Sequence, residues 1–196
     1  MIVYIHGASA TQESFNYLRE HIGGIDTCLE YNSDNGFENN LAIMQDRLKI
    51  YKKIFFICHS LGGIYALHLA ERFADKIQGA VTLSTPYGGS KAADYAKYFV
   101  PFSRLMRDIG PKSYPMSYIQ NIDITWPWTN VVSTRGASPF IVEPNDGVVT
   151  LASQRALADR MTLIDLDVNH YEIVMSPRTV NIIKDQLRKQ SISIND

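Results

Sequence analysis

Short apolar runs recur along the chain, and the segments between them carry amphipathic patterns of helical length. Ile2–Ile5, Thr27–Tyr31, Lys53–Cys58, Ile77–Ser84, Asn130–Thr134 and Met161–Val168 read as strands. Thr11–His21, Glu38–Tyr51, Leu61–Phe73, Thr150–Ala158 and Pro177–Gln190 read as helices. Pro177 after Ser176 opens the last of these, proline being tolerated in a first helical turn. Strand–helix alternation calls for a parallel sheet covered on both faces, because each crossover helix must lie against one of them. "IFFIC" is apolar throughout, as a central strand should be, whereas "LIDLDVN" alternates as an edge or half-exposed strand would.

One stretch breaks the rhythm. From Ser90 to Trp128, aromatic residues are interleaved with Pro101, Pro111, Pro115 and Pro127, with short helical patterns and no clear strand. An insertion of this length in a compact domain usually serves a function. It is expected to form a lid or cap, with Ala92–Val100 as its first helix. The alternative is a helical decoration that fills out the core.

At 196 residues the chain fits one domain, spanning 1–196, with the lid insertion at 90–128 inside it. A composition 45% hydrophobic and 20% charged is that of a globular protein. A net charge of −1 leaves no general basic footprint, so nucleic acid is not an expected partner. Cys28 and Cys58 lie in apolar runs and read as free buried thiols, without disulfide or metal-ligand spacing. The opening "MIVYIHG" has no charged leader, and no apolar run reaches the roughly 18 residues a membrane helix needs. The expected location is the cytoplasm.

The chemistry concentrates in "ICHSLGG", where the apolar run ending at Cys58 hands over to the helix beginning at Leu61. A serine hydroxyl is a weak nucleophile at neutral pH and needs an adjacent base. A sharp strand-to-helix turn lifts Ser60 clear of a sheet and aims a helix N-terminus at a developing oxyanion. Such a turn is crowded and requires small residues two positions before and after the serine, which are Cys58 and Gly62 here. The base should follow the last strand, and His170 does so in "DVNHYEIV". Four residues could supply the acid: Glu143, Asp146, Asp165 and Asp167. Asp165 and Asp167 alternate with apolar neighbours and most simply form a solvated strand face. Asp146 lies in the turn-rich "EPNDGVVT", with Glu143 as fallback. The order Ser60, Asp146, His170 is that of α/β-hydrolases and not of other serine-triad folds. Two backbone amides complete the constellation: Leu61, directly after the serine, and Ala8, in the loop "YIHGASA" that leaves the first strand. His6 beside that loop reads as a residue that orders it, not as the base.

At these residues the chain resembles the bacterial lipase and esterase branch of the α/β-hydrolases. "HGAS" at His6–Ser9, "CHSLGG" at Cys58–Gly63, "STPYGGS" at Ser84–Ser90, "NDGVV" at Asn145–Val149 and "NH" at Asn169–His170 carry the resemblance, which covers nearly all the chain outside 91–128. It departs from the family at Cys58, where glycine is usual, and in starting at once on the strand that carries "HG". The resemblance implies a minimal α/β-hydrolase fold of about six mostly parallel strands with helices on both faces, lacking the antiparallel N-terminal strands of larger relatives. It implies hydrolysis of a small-molecule or lipid-like carboxylic ester by a Ser60–Asp146–His170 triad, through an acyl-enzyme and without metal or organic cofactor. Thioesterase, amidase and acyltransferase chemistry would use the same triad, and a silent binder of apolar ligands is the non-enzymatic alternative. Tyr87, Tyr95, Phe99 and Phe102 are the expected substrate-facing aromatics.

Overall fold

The structure is a computed structural model that describes residues 1–88, 113–139 and 141–194. Six strands form one sheet: β1 (Ile2–Ile5), β2 (Asp26–Cys28), β3 (Ile54–His59), β4 (Ile77–Leu83), β5 (Trp128–Ser133) and β6 (Thr162–Leu166). Their order is β2-β1-β3-β4-β5-β6 and every pairing is parallel. The described helices are α1 (Asn16–Ile22), α2 (Phe37–Leu48), α3 (Leu61–Arg72), α4 (Tyr114–Ile119), α5 (Leu151–Gln154) and α6 (Pro177–Lys189).

Strand periodicity divides the core into two layers. Ile54, Phe56 and Cys58 of β3 face one side with Val3 and Ile5 of β1, against Leu41 and Met44 of α2 and Ile64 and Leu67 of α3. Phe55 and Ile57 face the other with Ile2 and Tyr4, against Leu18 and Ile22 of α1 and Val180, Ile183 and Leu187 of α6. Burying one such side chain fully contributes about 1.5–3 kcal/mol, so a strand apolar on both faces locks both layers at once. Only β6, an edge strand, keeps the alternating exposure read from "LIDLDVN", with Leu166 buried and Asp165 exposed.

Several elements end earlier than the sequence pattern suggests. β2 stops at Cys28, although Leu29 remains buried and its N–H still donates to the Tyr4 carbonyl of β1 at 2.9 Å. The helix expected over Thr150–Ala158 keeps only Leu151–Gln154, beyond which the chain continues in tight turns. Within the proline-rich stretch, α4 packs on α3: Met116, Ile119 and Ile122 join the same core layer, and His68 donates from Nε2 to the Pro115 carbonyl at 3.0 Å. Trp126 Nε1 donates to the Ala74 carbonyl. Residues 113–127 therefore extend the core along α3. Ala92–Val100, Tyr95, Phe99 and Phe102 lie outside the described residues. Among the described residues no helix is long and apolar enough to cross a membrane.

After β1 the chain turns to β2 on one side, and after β3 it turns to β4 on the other. The crevice between the C-terminal ends of β1 and β3 is therefore the switch point of the sheet, where open parallel sheets bind ligands.

Candidate active site

Ser60 sits at that point, between His59 at the end of β3 and Leu61 at the start of α3. Its backbone is held at φ 52°, ψ −124°, a conformation that costs an L-residue about 1–3 kcal/mol. Ser60 N–H donates to the Leu83 carbonyl at 2.8 Å, and the Ser60 carbonyl accepts from Gly63 N–H and from Thr85 Oγ1. Neighbouring chain segments thus fix the strained turn. A Cβ at position 62 would lie 2.0 Å from the Ile5 carbonyl oxygen, so only glycine lets α3 approach β1 this closely. Cys58, two residues before the serine, is fully buried in the α2–α3 layer, and burial pushes its thiol well up.

The loop after β1 lies directly against the elbow. A Cβ on Gly7 would fall 3.2 Å from Ser60 Cβ and 3.3 Å from His59 Nδ1. His6 is buried, stacks on Tyr31 at 4.4 Å and donates from Nδ1 to the Gly7 carbonyl at 2.8 Å, which stiffens the loop. Among the described residues, neither the Ala8 amide nor the Leu61 amide makes a hydrogen bond.

The structure brings Asp146 and His170 together. Both are buried, at 1% and 3% exposure, and Nδ1 of His170 donates to Asp146 Oδ2 at 2.8 Å. The same two residues are joined through the backbone, His170 N–H donating to the Asp146 carbonyl at 3.1 Å. Asp146 is itself held from all sides. Oδ1 accepts the amides of Val148 at 3.0 Å and Val149 at 2.7 Å, while Oδ2 also accepts Gln154 Nε2 at 3.0 Å and the hydroxyl of Ser133. Burial pushes this carboxyl up, but the bonds from His170, Ser133 and Val149 outweigh it and hold it below its ordinary range. The His170 loop is pinned by Asn169, whose Oδ1 accepts the amides of Tyr171 and Glu172, and by the Arg135–Glu172 ion pair.

Ser60 is tied to this pair through its neighbour. His59 Nε2 lies 2.9 Å from the His170 carbonyl, and the two imidazoles stand 4.8 Å apart. Burial, then the nearby His170, lower the pKa of His59 to about 3, so the ring is neutral with its proton on Nε2. Among the described residues neither Ser60 Oγ nor His170 Nε2 makes a hydrogen bond.

The remaining candidates separate clearly. Asp165 and Asp167 point to solvent, Asp165 pairing with Arg155 at 2.8 Å. Glu143 lends its backbone carbonyl to the Asn145 side chain. Tyr87, expected at the substrate, has no exposed surface: its hydroxyl donates to Thr82 Oγ1 and accepts from Trp128 Nε1, so in this structure it is a packed core residue. Three residues beside the site escaped the sequence reading. His59 stood within a recognised motif without a role, and Ser133 and Gln154 carried no local signal at all. Tyr171, 62% exposed and edge-on to His170 at 5.5 Å, is an accessible aromatic next to the imidazole. Among the described residues no His, Cys, Asp and Glu side chains gather as a metal-binding group.

The sequence matches no protein-family model and no curated protein. Solved structures do resemble it in fold. The mature lipase BlEst2 of Bacillus licheniformis superposes with a TM-score of 0.74 at 16% identity, over 98% of this chain and 91% of that one. A metagenomic carboxyl esterase gives 0.72 at 17%, over 97% and 75%. The Vlm2 thioesterase domain gives 0.60 at 16%, over 95% and 90%. The chain has the α/β-hydrolase fold.

Proposed function

We propose that the protein is a serine hydrolase that cleaves carboxylic esters, with Ser60, Asp146 and His170 as its triad. The observation that carries the reading is the buried Asp146–His170 pair at the strand ends, tied by His59 to a serine on a strained elbow. His170 would take the Ser60 proton on Nε2 as the hydroxyl attacks the ester carbonyl, and Asp146 would keep Nδ1 protonated and stabilise the imidazolium. The amides of Ala8 and Leu61 would receive the oxyanion. The imidazolium would then protonate the leaving alcohol, and water would release the acid from the acyl-enzyme by the same steps in reverse. The absence of a Ser60–His170 hydrogen bond is compatible with this, because catalytic contacts often tighten only with substrate in place. Tyr95, Phe99 and Phe102 of the 90–128 insertion are proposed, on sequence grounds, as the apolar wall for the acyl group.

A thioester substrate is the second reading, favoured by the likeness to a thioesterase domain. The acylation chemistry is common to both. Incubation with a fluorophosphonate and peptide mass spectrometry tests the shared part: Ser60 should be labelled alone, and Ser60→Ala should abolish labelling in a folded protein. Labelling at Ser9, Ser84 or Ser153, or no labelling, would reject the assignment. Parallel kinetics on oxygen esters and acyl thioesters then separate the two substrates.

A further inference from the structure

The Asp146 carboxylate has more donors than orienting an imidazole requires, and two of them come from the buried side chains of Ser133 and Gln154. Gln154 is fully buried at the end of α5 and bridges two partners. Its Oε1 accepts the Ser133 backbone N–H at 3.0 Å, and its Nε2 donates to Asp146 Oδ2 at 3.0 Å and toward the Ser133 carbonyl at 3.3 Å. A backbone N–H can only donate, so it fixes which end of the amide faces it. Nε2 is thereby forced toward the carboxylate. Ser133, fully buried at the end of β5, donates its hydroxyl to the same oxygen. An ionised carboxylate can only accept, so Ser133 Oγ must in turn accept from Ser84 Oγ at 2.7 Å. The ends of β4 and β5 thus deliver a directed chain, Ser84 to Ser133 to Asp146, with Gln154 locked alongside.

We infer that Ser133 and Gln154 are positioning residues that fix Asp146 Oδ2 on His170 and draw off part of its charge, and so set how strongly the imidazole holds a proton. The inference rests on the triad reading above. Hydrogen bonds to a charged group are stronger than those between neutral groups, so the loss of one redistributes charge onto the bonds that remain. With either donor removed, the carboxylate bears harder on His170 and the protonated ring is favoured. The base is then free only at higher pH. Among the described residues, the other titratable groups facing His170 are His59 from the end of β3 and Tyr171 in its own loop, with the Arg135–Glu172 pair at the loop's foot. None is altered by changes at 133 or 154.

The test uses Ser133→Ala and Gln154→Met in the full chain, with thermal melts to verify folding. Two readouts are followed: the low-field proton resonance of the His170 Nδ1–H by NMR, and the pH profile of kcat/KM for a p-nitrophenyl ester. The expected result is a resonance moved further downfield in each variant and an acid limb moved to higher pH. kcat should fall about tenfold with KM nearly unchanged. Variants that only lose thermal stability, with resonance and acid limb where the wild type has them, would reduce both residues to packing and overturn the inference. The resonance needs no turnover. If wild-type protein hydrolyses no ester and labels no serine, the hydrolase reading fails, while the shift of the resonance still decides what Ser133 and Gln154 do to the pair.

Discussion

Replacing Asp146 by Asn keeps size and shape but changes what the group can accept, and the structure dictates how the amide must sit. The Oδ1 position faces the backbone amides of Val148 and Val149, which cannot reverse their role, so the Asn oxygen must go there. The NH2 then stands where Oδ2 was, facing Ser133 Oγ, Gln154 Nε2 and His170 Nδ1. Ser133 can rotate its hydroxyl to accept. Gln154 cannot turn, because Ser133 N–H holds its Oε1, and so one buried donor loses its acceptor at a cost of about 1–3 kcal/mol. That corresponds to a fall in Tm of about 2–4 °C per kcal/mol in a domain of this size. His170 can satisfy the new NH2 only by moving its proton from Nδ1 to Nε2, and in that tautomer it cannot accept the Ser60 proton. A wrong tautomer with intact geometry is expected to lower kcat about 10⁴-fold, or about 5.5 kcal/mol of barrier. Saturation kinetics on p-nitrophenyl butyrate, with a thermal melt of the same preparation, measure both quantities. Asp165→Asn and Asp167→Asn should stay near wild type, since an exposed pair such as Asp165–Arg155 contributes only about 0–1 kcal/mol. Asp146→Asn within about tenfold of wild type, or a crippling Asp165→Asn, would break the argument at its root.

Gly62→Ala should not yield native protein, because its Cβ would overlap the Ile5 carbonyl oxygen at 2.0 Å; a soluble variant with wild-type Tm and labelling would disprove the close approach of α3 to β1. His59 binds a proton near 6.5 when unfolded but only near 3 when folded, so its neutral burial stabilises the protein above about pH 6.5 and that contribution is lost on acidification. Urea melts between pH 7.5 and 5 should therefore fall more steeply for wild type than for His59→Gln, whose amide can still donate to the His170 carbonyl; parallel curves would exclude His59 as the source. Specificity constants over a p-nitrophenyl ester series should rise through the first few acyl carbons and then level off, each buried methylene adding about 0.8 kcal/mol. A series that is flat, or whose slope survives Phe99→Ala and Phe102→Ala, would remove those aromatics from the acyl site.

Regular periodicity made the frame legible in the sequence. The apolar run at Ile54–Cys58 read as a central strand, and β3 is the third of six. "LIDLDVN" read as an edge or half-exposed strand and is an edge, and Ser60 with Gly62 read as an elbow, because each reading uses residues adjacent in sequence and backbone geometry that neighbours impose. The residues proposed as a triad were picked out on the same basis, Ser60, Asp146 and His170 each lying in a turn or loop that follows a recognisable strand. Tertiary packing decided the rest. Tyr87 looked like a substrate contact in "STPYGGS" until Thr82 and Trp128 claimed its hydroxyl. The aromatic stretch looked uniform, yet Met116, Ile119 and Ile122 are drawn into the α3 layer. His59, Ser133 and Gln154 gain their roles only where β3, β5, α5 and the His170 loop converge, with His59 meeting a residue 111 positions away. A hydrogen bond between residues so far apart leaves no period or spacing in the chain, since its geometry is set by the fold that brings the ends together.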